Sequence, residues 1–534
     1  MSTAEPVAGP EAEESSPSTD SVSKSETHPL RGRAILCLLA IVALADLAIY
    51  RGAGFAGYAL LLAASPLLVF IGIAPRNADR SLYIAWPLLI LIAARLLWCG
   101  DWLAVAIGFS LLFAVTMALV GLRPYVLETI VFAAQTIPAG FQALRRRGSS
   151  ISGDRATEGV PGPHWSAILI PLPIILIFSA IFILANPDLA TWFNTELSRT
   201  IRQARDWLFD VAPEPLEMIF WVGTAWIAAG LLRPLVPHNV VVQSTATDLV
   251  WPEEAPLYAA FRNTLTGLIV LFAVYLIFEF FTLWFREFPE GFHYSGYAHE
   301  GAAWLTAALA LATLLLSVIF QGRTLRDPRV AVLRRFAGIW AVENLLLALA
   351  VYNRLFIYIG FNGMTRMRIV GMLGITAVVI GFILVLIKIR RNHSFTWLIR
   401  RHLWTLAAAF YLYTVLPVDV IAMGYNVRRI MHGDPAPSVQ ISEHPISVEG
   451  VLVLKPLLNS DNTIIREGVR AMLAARLEQF KTRPEQNHWT DYQLAEETLE
   501  SQLRTFEEDL NIYRDRSRRA TARRTFAEYA YQWW

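Results

Sequence analysis

After a polar opening of about 30 residues, the chain breaks into long apolar runs separated by polar connectors. The runs lie near 34–50, 55–75, 82–98, 102–122, 166–185, 216–235, 264–285, 301–320, 336–357, 369–388 and 403–423. A helix needs roughly 17–25 apolar residues to cross a bilayer core. The pattern therefore predicts an all-α polytopic transmembrane bundle of about eleven helices over 31–424. Runs 55–75 and 102–122 leave a re-entrant path open, although their length favours crossing. The opening, 1–30, is rich in Ser, Glu and Pro, buries too little apolar surface to fold, and is expected to be disordered. Because the first run starts only after Arg31 and Arg33, it reads as an uncleaved anchor rather than a signal peptide.

Two connecting stretches, 125–147 and 192–211, alternate apolar and charged residues at helical spacing, and both are expected to lie along the membrane surface. From 425 to 534 the chain is polar and is expected to form a mostly helical extramembrane domain, set off by Pro435 and Pro437. Helices are predicted over 462–481 and 490–520, with Asp461 and Thr490 as N-caps. Leu494, Leu499, Leu503, Phe506 and Leu510 give the second of these an apolar face. The closing aromatic run, Phe526 to Trp534, is expected to rest on the membrane interface.

Composition sharpens this picture. Hydrophobic residues make up 55 % of the chain and charged residues 17 %, with a mean hydropathy of +0.43. Soluble domains carry about 25 % charged residues, so a water-soluble fold is excluded. The net charge of +2 decides little, but the distribution of basic residues decides more. With the N-terminus inside, the inner connectors hold 22 basic residues against 7 in the outer ones, the long tail excepted. Basic connectors stay in the cytoplasm. The N-terminus is thus expected to be cytoplasmic and 425–534 extracytoplasmic, in a bacterial inner (plasma) membrane. Only Lys24, Lys388, Lys455 and Lys481 are lysines, and the other 42 basic residues are arginines. Coding bias accounts for that preference, with arginine contacts to lipid phosphates as the alternative.

Motifs for soluble chemistry are weak. Gly52-Ala53-Gly54-Phe55-Ala56-Gly57 has the letters of a dinucleotide fingerprint but links two membrane helices, where that motif has no strand to follow. His293 and His299 lie beside Glu300, yet a zinc site needs three or four converging ligands. Cys37 and Cys99 read as small hydrophobes. No catalytic residue, metal, cofactor or nucleic-acid partner is expected.

Ionisable residues inside the runs say more. Each costs about 2.5–3.5 kcal/mol at a helix centre unless it finds a partner or water. Asp46 and Arg95 fall toward the outer ends of their helices, where Arg95 can snorkel. Glu279 lies roughly 9 Å from the outer end of its helix, and Glu343, followed by Asn344, is about as deep from the inner side. Those two glutamates read either as a proton relay or as structural hydrogen-bonding groups between helices.

Several stretches resemble the bacterial membrane-protein family DUF4173, a domain of unknown function. They are Pro171-Leu172-Pro173 through Ala185-Asn186-Pro187-Asp188, Ala228 to Arg233, Tyr297 to Leu305, and Arg354-Leu355 with Tyr358 and Gly363-Met364-Thr365-Arg366-Met367-Arg368. Asp419 and Asn426 are similar to that family's Asp…Asn pair after the last helix. The likeness spans roughly 165–460 and departs at Ala302, Ala303 and Trp304. It implies an inner-membrane protein of unknown activity. Combined with the topology, it gathers Tyr297, Arg354, Tyr358, Arg366, Arg368, Asp419 and Asn426 on the outer face as ligand or partner candidates. The three arginines there are expected to form an anion-binding rim, against the alternative that they bind lipid headgroups or lock turns.

Three functional classes follow. The first is a non-enzymatic protein binding an envelope partner or ligand at its outer face, with membrane lipids around it. The second is a secondary transporter with a polar path through Glu279 and Glu343. The third is an enzyme acting on a lipid-linked substrate, with Asp419 or Glu300 as base.

Overall fold

The computed structural model describes residues 32–52, 54–73, 75, 78–151, 215–233, 257–281, 294–320, 324–325, 327–482 and 488–533. The expectations for 1–30, 166–185 and 192–211 lie outside these residues. Every regular element among the described residues is helical.

A first group of helices comprises α1 (Gly32–Ala45), continued by a π-helical turn Asp46–Tyr50, then α2 (Phe55–Ile73), α3 (Leu82–Cys99), α4 (Trp102–Leu119), α5 (Val126–Ile151) and α6 (Pro215–Leu232). Leu62, Val69, Leu89, Ile92 and Leu112 form the core of α1–α4. A second group comprises α7 (Tyr258–Glu279), α8 (Tyr294–Ile319), α9 (Val330–Asn362), α10 (Arg366–Arg391) and α11 (Phe395–Val415). Its core is built on Leu265, Leu316, Leu333, Trp340 and Phe382. Side-chain caps fix several starts: Asp101 accepts from the Ala104 amide (2.8 Å), Thr365 from Arg368 (3.2 Å) and Ser394 from Trp397 (3.2 Å). At the far end of α10, Asn392 turns left-handed at φ 52°, and Lys388, Arg390 and Arg391 occupy the last turn, where a helix dipole favours cations.

Seven described helices are long and apolar enough to cross a membrane, or eight if one bent pair counts as a span. The chain is a multi-pass membrane protein. The outward faces agree: only 6 % of the apolar window of α7 is buried, and Val270, Leu271, Val274 and Ile277 point away from the core. Water does not tolerate apolar surface on that scale. The run at 216–235 appears as a shorter apolar helix, 216–232, and the run at 301–320 forms the second part of α8.

One span differs from the reading of the sequence. The run at 403–423 is no single helix: α11 stops at Val415, and α12 (Val418–Met431) leaves it at 62°. Pro417 has no amide hydrogen, and its ring drives Leu416 into an extended conformation at ψ 135°, which no helix accommodates. The segment 125–147, expected to lie along the surface, forms α5 and runs beside α6. A Cβ on Gly140 would meet the Trp226 carbonyl oxygen at 2.1 Å, and one on Gly230 would meet that of Thr136 at 2.1 Å. Small residues facing each other let two membrane helices approach to backbone contact.

Beyond α12 the chain folds as a cap of α13 (Ser438–Ser442), α14 (Val448–Val451), a 3-10 stretch Leu452–Asn459, α15 (Thr463–Lys481), α16 (Leu494–Thr505), α17 (Glu507–Leu510) and α18 (Arg516–Ala530). Val439, Leu454, Ile465, Leu473, Leu503 and Phe526 form its core, shared with Val427 of α12 and Ile369 of α10. Asn462, one residue after the expected Asp461, caps α15 by accepting from the Ile465 amide (3.2 Å). The stretch 490–520 breaks at Phe506 and again at 511–515; Leu499, Leu503 and Leu510 turn inward, whereas Leu494 stays exposed. Phe526 and Ala530 are buried in the cap rather than lying on the membrane.

The cap covers one end of the bundle. The Gly54 amide donates to Thr490 Oγ1 (3.4 Å), the Gly100 amide to Gln493 Oε1 (3.1 Å), and Gln440 Nε2 to the Asn362 carbonyl (2.9 Å). Those contacts lie at the ends of α1, α3 and α9, so the cap sits opposite the end where α1 begins. Gly54 is required by close approach: a Cβ there would meet the Thr490 carbonyl oxygen at 2.1 Å.

Gly54→Ala should therefore unseat the 489–491 turn, at an overpacking cost of about 1–3 kcal/mol. Limited proteolysis in detergent should then release the cap faster. Gly223→Ala, where a Cβ meets nothing within 4 Å, should leave the digestion pattern unchanged. Equal rates for both variants would contradict the seating.

Candidate functional site at the junction of bundle and cap

Each ionisable residue singled out within the runs has a definite surrounding. Asp46 is 6 % exposed and accepts from Trp221 Nε1 (2.7 Å) and from Arg51 (2.8 Å), which also grips Glu217 (2.5 Å). The π-helical turn carries Asp46 toward α6. Arg95 does not snorkel. Its guanidinium meets the Glu449 carboxylate on α14 through two bonds of 2.8 Å, while its Nε donates to the Thr414 carbonyl (3.1 Å) and Trp98 Nε1 donates to the same carboxylate (3.2 Å). One guanidinium thus joins α3 to the cap by a salt bridge and to α11 by a hydrogen bond.

Glu279 is answered by Arg354 rather than by Glu343. Arg354 donates to both its oxygens at 2.6 and 2.5 Å, and the Tyr275 hydroxyl adds a bond of 3.0 Å. Glu343 lies eleven residues before Arg354 on α9, about 16 Å along the axis at 1.5 Å per residue, so the two glutamates do not form a direct relay. Glu343 Oε2, Asn344 Oδ1 and Trp340 Nε1 have no hydrogen-bond partner among the described residues, while Asn344 Nδ2 donates to the Trp340 carbonyl (2.8 Å).

Tyr358, Arg366, Arg368, Asp419 and Asn426 come together at the α9–α10 connector, while Arg354 stays apart on Glu279, so the three arginines form no common rim. Arg366 forks onto Asp419 (3.0 and 2.5 Å), whose Oδ2 also accepts from the Ser447 amide (2.9 Å). Arg368, 5 % exposed, stacks on the Tyr358 ring at 3.7 Å and donates to the Gly363 carbonyl and Asn362 Oδ1. Asn426 reads the backbone of Met364 in both directions: its Oδ1 accepts from the amide (2.7 Å) and its Nδ2 donates to the carbonyl (2.8 Å). Gly363 has φ 99°, and a Cβ there would also collide with Asn426 Oδ1 at 2.5 Å. Glycine alone meets both demands.

Tyr297 falls on α8, but its side chain, like those of His299 and Glu300, lies outside the described residues, as does His293. Among the described residues no group of three His, Cys, Asp or Glu side chains converges.

Residues missed in the sequence include Glu449, Glu217, Ser447 and Gln440. Arg95 signalled that some acid must answer it, but the polar tail offers many acids, and Glu449 is 354 positions away.

The arrangement is a fastening: charged side chains of the bundle end take up carboxylates and amides of the cap and of α12. One group tracks pH. Burial, helped by Arg368, holds the His444 imidazole below its ordinary value.

Over residues 34–454 the chain matches the family described as a domain of unknown function, DUF4153. The chain belongs to that family. The match starts within α1 and ends in the cap's 3-10 stretch, so it includes both members of the Arg95–Glu449 and Arg366–Asp419 pairs. It replaces the resemblance to DUF4173, a different family of unknown function. That likeness rested on short strings of small, aromatic and arginine residues, and the narrow alphabet allowed in lipid makes such strings recur among unrelated membrane proteins. No curated protein and no solved structure matches the chain.

Two predictions follow from this geometry. Removing one member of a buried ion pair costs about 3–5 kcal/mol, because the other charge is left without a partner. Glu449→Leu should therefore lower the melting temperature of the detergent-solubilised DUF4153 chain markedly, and Arg95→Leu with Glu449→Leu should recover most of the loss. A double variant as weak as the single one would contradict the pairing. For His444 the folded value lies under the unfolded one, so the unfolded chain takes up the proton first. Stability should be full above about pH 6.5, the ordinary imidazole value, and fall as the pH drops below it. His444→Gln should flatten that slope between pH 7.5 and 5.5 in thermal melts.

Proposed function

We propose that this DUF4153 chain is a non-enzymatic protein of a bacterial inner membrane, with its N-terminus cytoplasmic and its cap extracytoplasmic, where it binds an envelope partner or ligand. The observation that carries the reading is the crowding of basic residues at the uncapped end of the bundle. At the capped end Arg51, Arg95, Arg354 and Arg366 are each neutralised by a carboxylate. At the other end Arg123, Arg329 and Arg400 pair with Asp79, Asp327 and Glu128, but Arg335, Arg390 and Arg391 meet no carboxylate among the described residues, and Arg334 bonds only the Asn392 amide (2.7 Å). A surplus of arginines there supports a cytoplasmic position for that end. The cap also exposes Trp489, Tyr492, Ile512 and Tyr531, at 45 %, 45 %, 47 % and 62 %, which supports contact with a partner.

Alkaline phosphatase fused after the last residue should be active and a fluorescent protein there dark. A fusion after residue 328 should behave in reverse. A bright fluorescent fusion with a silent phosphatase at the C-terminus would overturn the sidedness. A photo-crosslinking residue at Ile512 should trap a discrete envelope protein in cells. Adducts to lipid alone would remove the partner.

A second reading, a secondary transporter, draws support from the three unsatisfied polar atoms of Trp340, Glu343 and Asn344 on one turn of α9. Buried groups of this kind ask for water or a proton. In vesicles loaded with a pH-sensitive dye, the parent chain should carry protons and Glu343→Gln should not. Equal flux from both would remove Glu343 from any path.

A further inference from the structure

The cap holds a cleft that the fastening of cap to bundle does not use. It opens between the 442–446 turn, α15 and α18, has a volume of about 250 Å³, and is lined by Ser442, His444, Arg476, Gln479 and Arg523 together with the apolar side chains of Pro445 and Met472. No carboxylate is among its lining residues. The Arg476 guanidinium is oriented by two neutral acceptors, Gln479 Oε1 (3.2 Å) and the Ile446 carbonyl (3.4 Å), so its charge is aimed but not cancelled. Arg523, exposed on α18, makes no ion pair among the described residues. Its neighbour Arg524 differs, since Glu528 holds it at 2.8 Å. Glu443, next in sequence to Ser442 and His444, lines an adjoining hollow of about 340 Å³ that Arg523 also borders, and it accepts from the Ser442 hydroxyl (3.1 Å).

We propose that this cleft binds an amphiphilic anion, its phosphate or carboxylate held between Arg476 and Arg523 and its apolar part lying on Pro445 and Met472. The inference rests on the reading that the cap is where the chain meets its ligand. Guanidinium forks grip such oxyanions bidentately. Sites for small molecules combine an apolar lining with a few convergent polar groups, and run from about 300 to 1,000 Å³. At about 250 Å³ the cleft suits a headgroup with a short length of chain. Bare inorganic phosphate leaves the apolar side chains unused, and a neutral alcohol leaves two guanidiniums unanswered. The same chemistry is presented by a lipid headgroup and by a soluble amphiphile.

The test uses the full chain in nanodiscs of phosphatidylcholine, with binding of radiolabelled octyl phosphate measured above that of empty discs. Saturable binding of one molecule per chain is expected, with octanol and inorganic phosphate at least tenfold weaker. Arg523→Gln, on an exposed helix face, should lose tenfold or more while its melting temperature stays that of the parent. Arg476→Gln should lose a similar factor, and Arg524→Gln should stay within twofold. Competition by phosphatidylglycerol built into the discs would make the natural source a lipid headgroup. Absence of that competition would make it a soluble amphiphile, and both results support the site. Unchanged affinity in Arg523→Gln, or equal binding of octyl trimethylammonium, would overturn it. A cap found in the cytoplasm would defeat the proposed sidedness without touching this result.

Discussion

A charge at the edge of an apolar body must find its opposite, and in this chain it finds it across the junction of bundle and cap. Arg95 is the clearest case. It sits on α3, a helix otherwise rich in leucine, isoleucine and alanine, and its side chain is 11 % exposed. Left alone it would carry the full desolvation cost of a buried guanidinium. Glu449, 3 % exposed, would carry the same cost from the other side. Each becomes tolerable only when the cap is seated, so the pair fixes where the cap sits more than it adds to stability. Arg366 with Asp419 repeats the arrangement between α10 and α12, and Arg354 with Glu279 holds α9 to α7.

The neutral contacts then lock the position that the charges select. Asn426 can pair with Met364 only if the 363–365 connector presents its amide and carbonyl together, and that geometry needs the positive φ of Gly363. Thr490 can approach Gly54 only because no Cβ intervenes. The Pro417 bend belongs to the same set. It turns α12 away from α11 and brings Asp419 and Asn426 to the α9–α10 connector, where a straight continuation would have carried them elsewhere.

The helical membrane body was legible from the sequence because lipid imposes a simple rule: long apolar runs become helices. The rule counts apolar residues, and so it read through Pro417, whose effect depends on a missing amide hydrogen rather than on hydropathy. Individual residues were legible as anomalies. Asp46, Arg95, Glu279 and Glu343 each stood out as a polar group where one is costly, whereas Arg354 and Asp419 entered through the resemblance to DUF4173 that the family match replaces. The partners were not legible, because pairing is a property of the folded chain: Arg95 and Glu449 are 354 residues apart, Arg366 and Asp419 53. Glu279 had an apparent partner in Glu343, chosen for depth in the membrane. The chain chose Arg354, a charge of opposite sign. The family assignment failed for a related reason, since short strings carry little information when composition is narrow.

Seating of the cap by buried charge is most directly tested by hydrogen exchange on the full chain in nanodiscs. The connector amides of Gly54, Gly100 and Met364 donate to Thr490, Gln493 and Asn426, so all three should exchange slowly. Glu449→Gln should speed exchange at Gly54 and Gly100 while leaving the amides in the middle of α2 and α4 protected. Exchange at all three connectors as fast as in an open loop, in the unaltered chain, would contradict the seating and with it the structural basis of the proposed function.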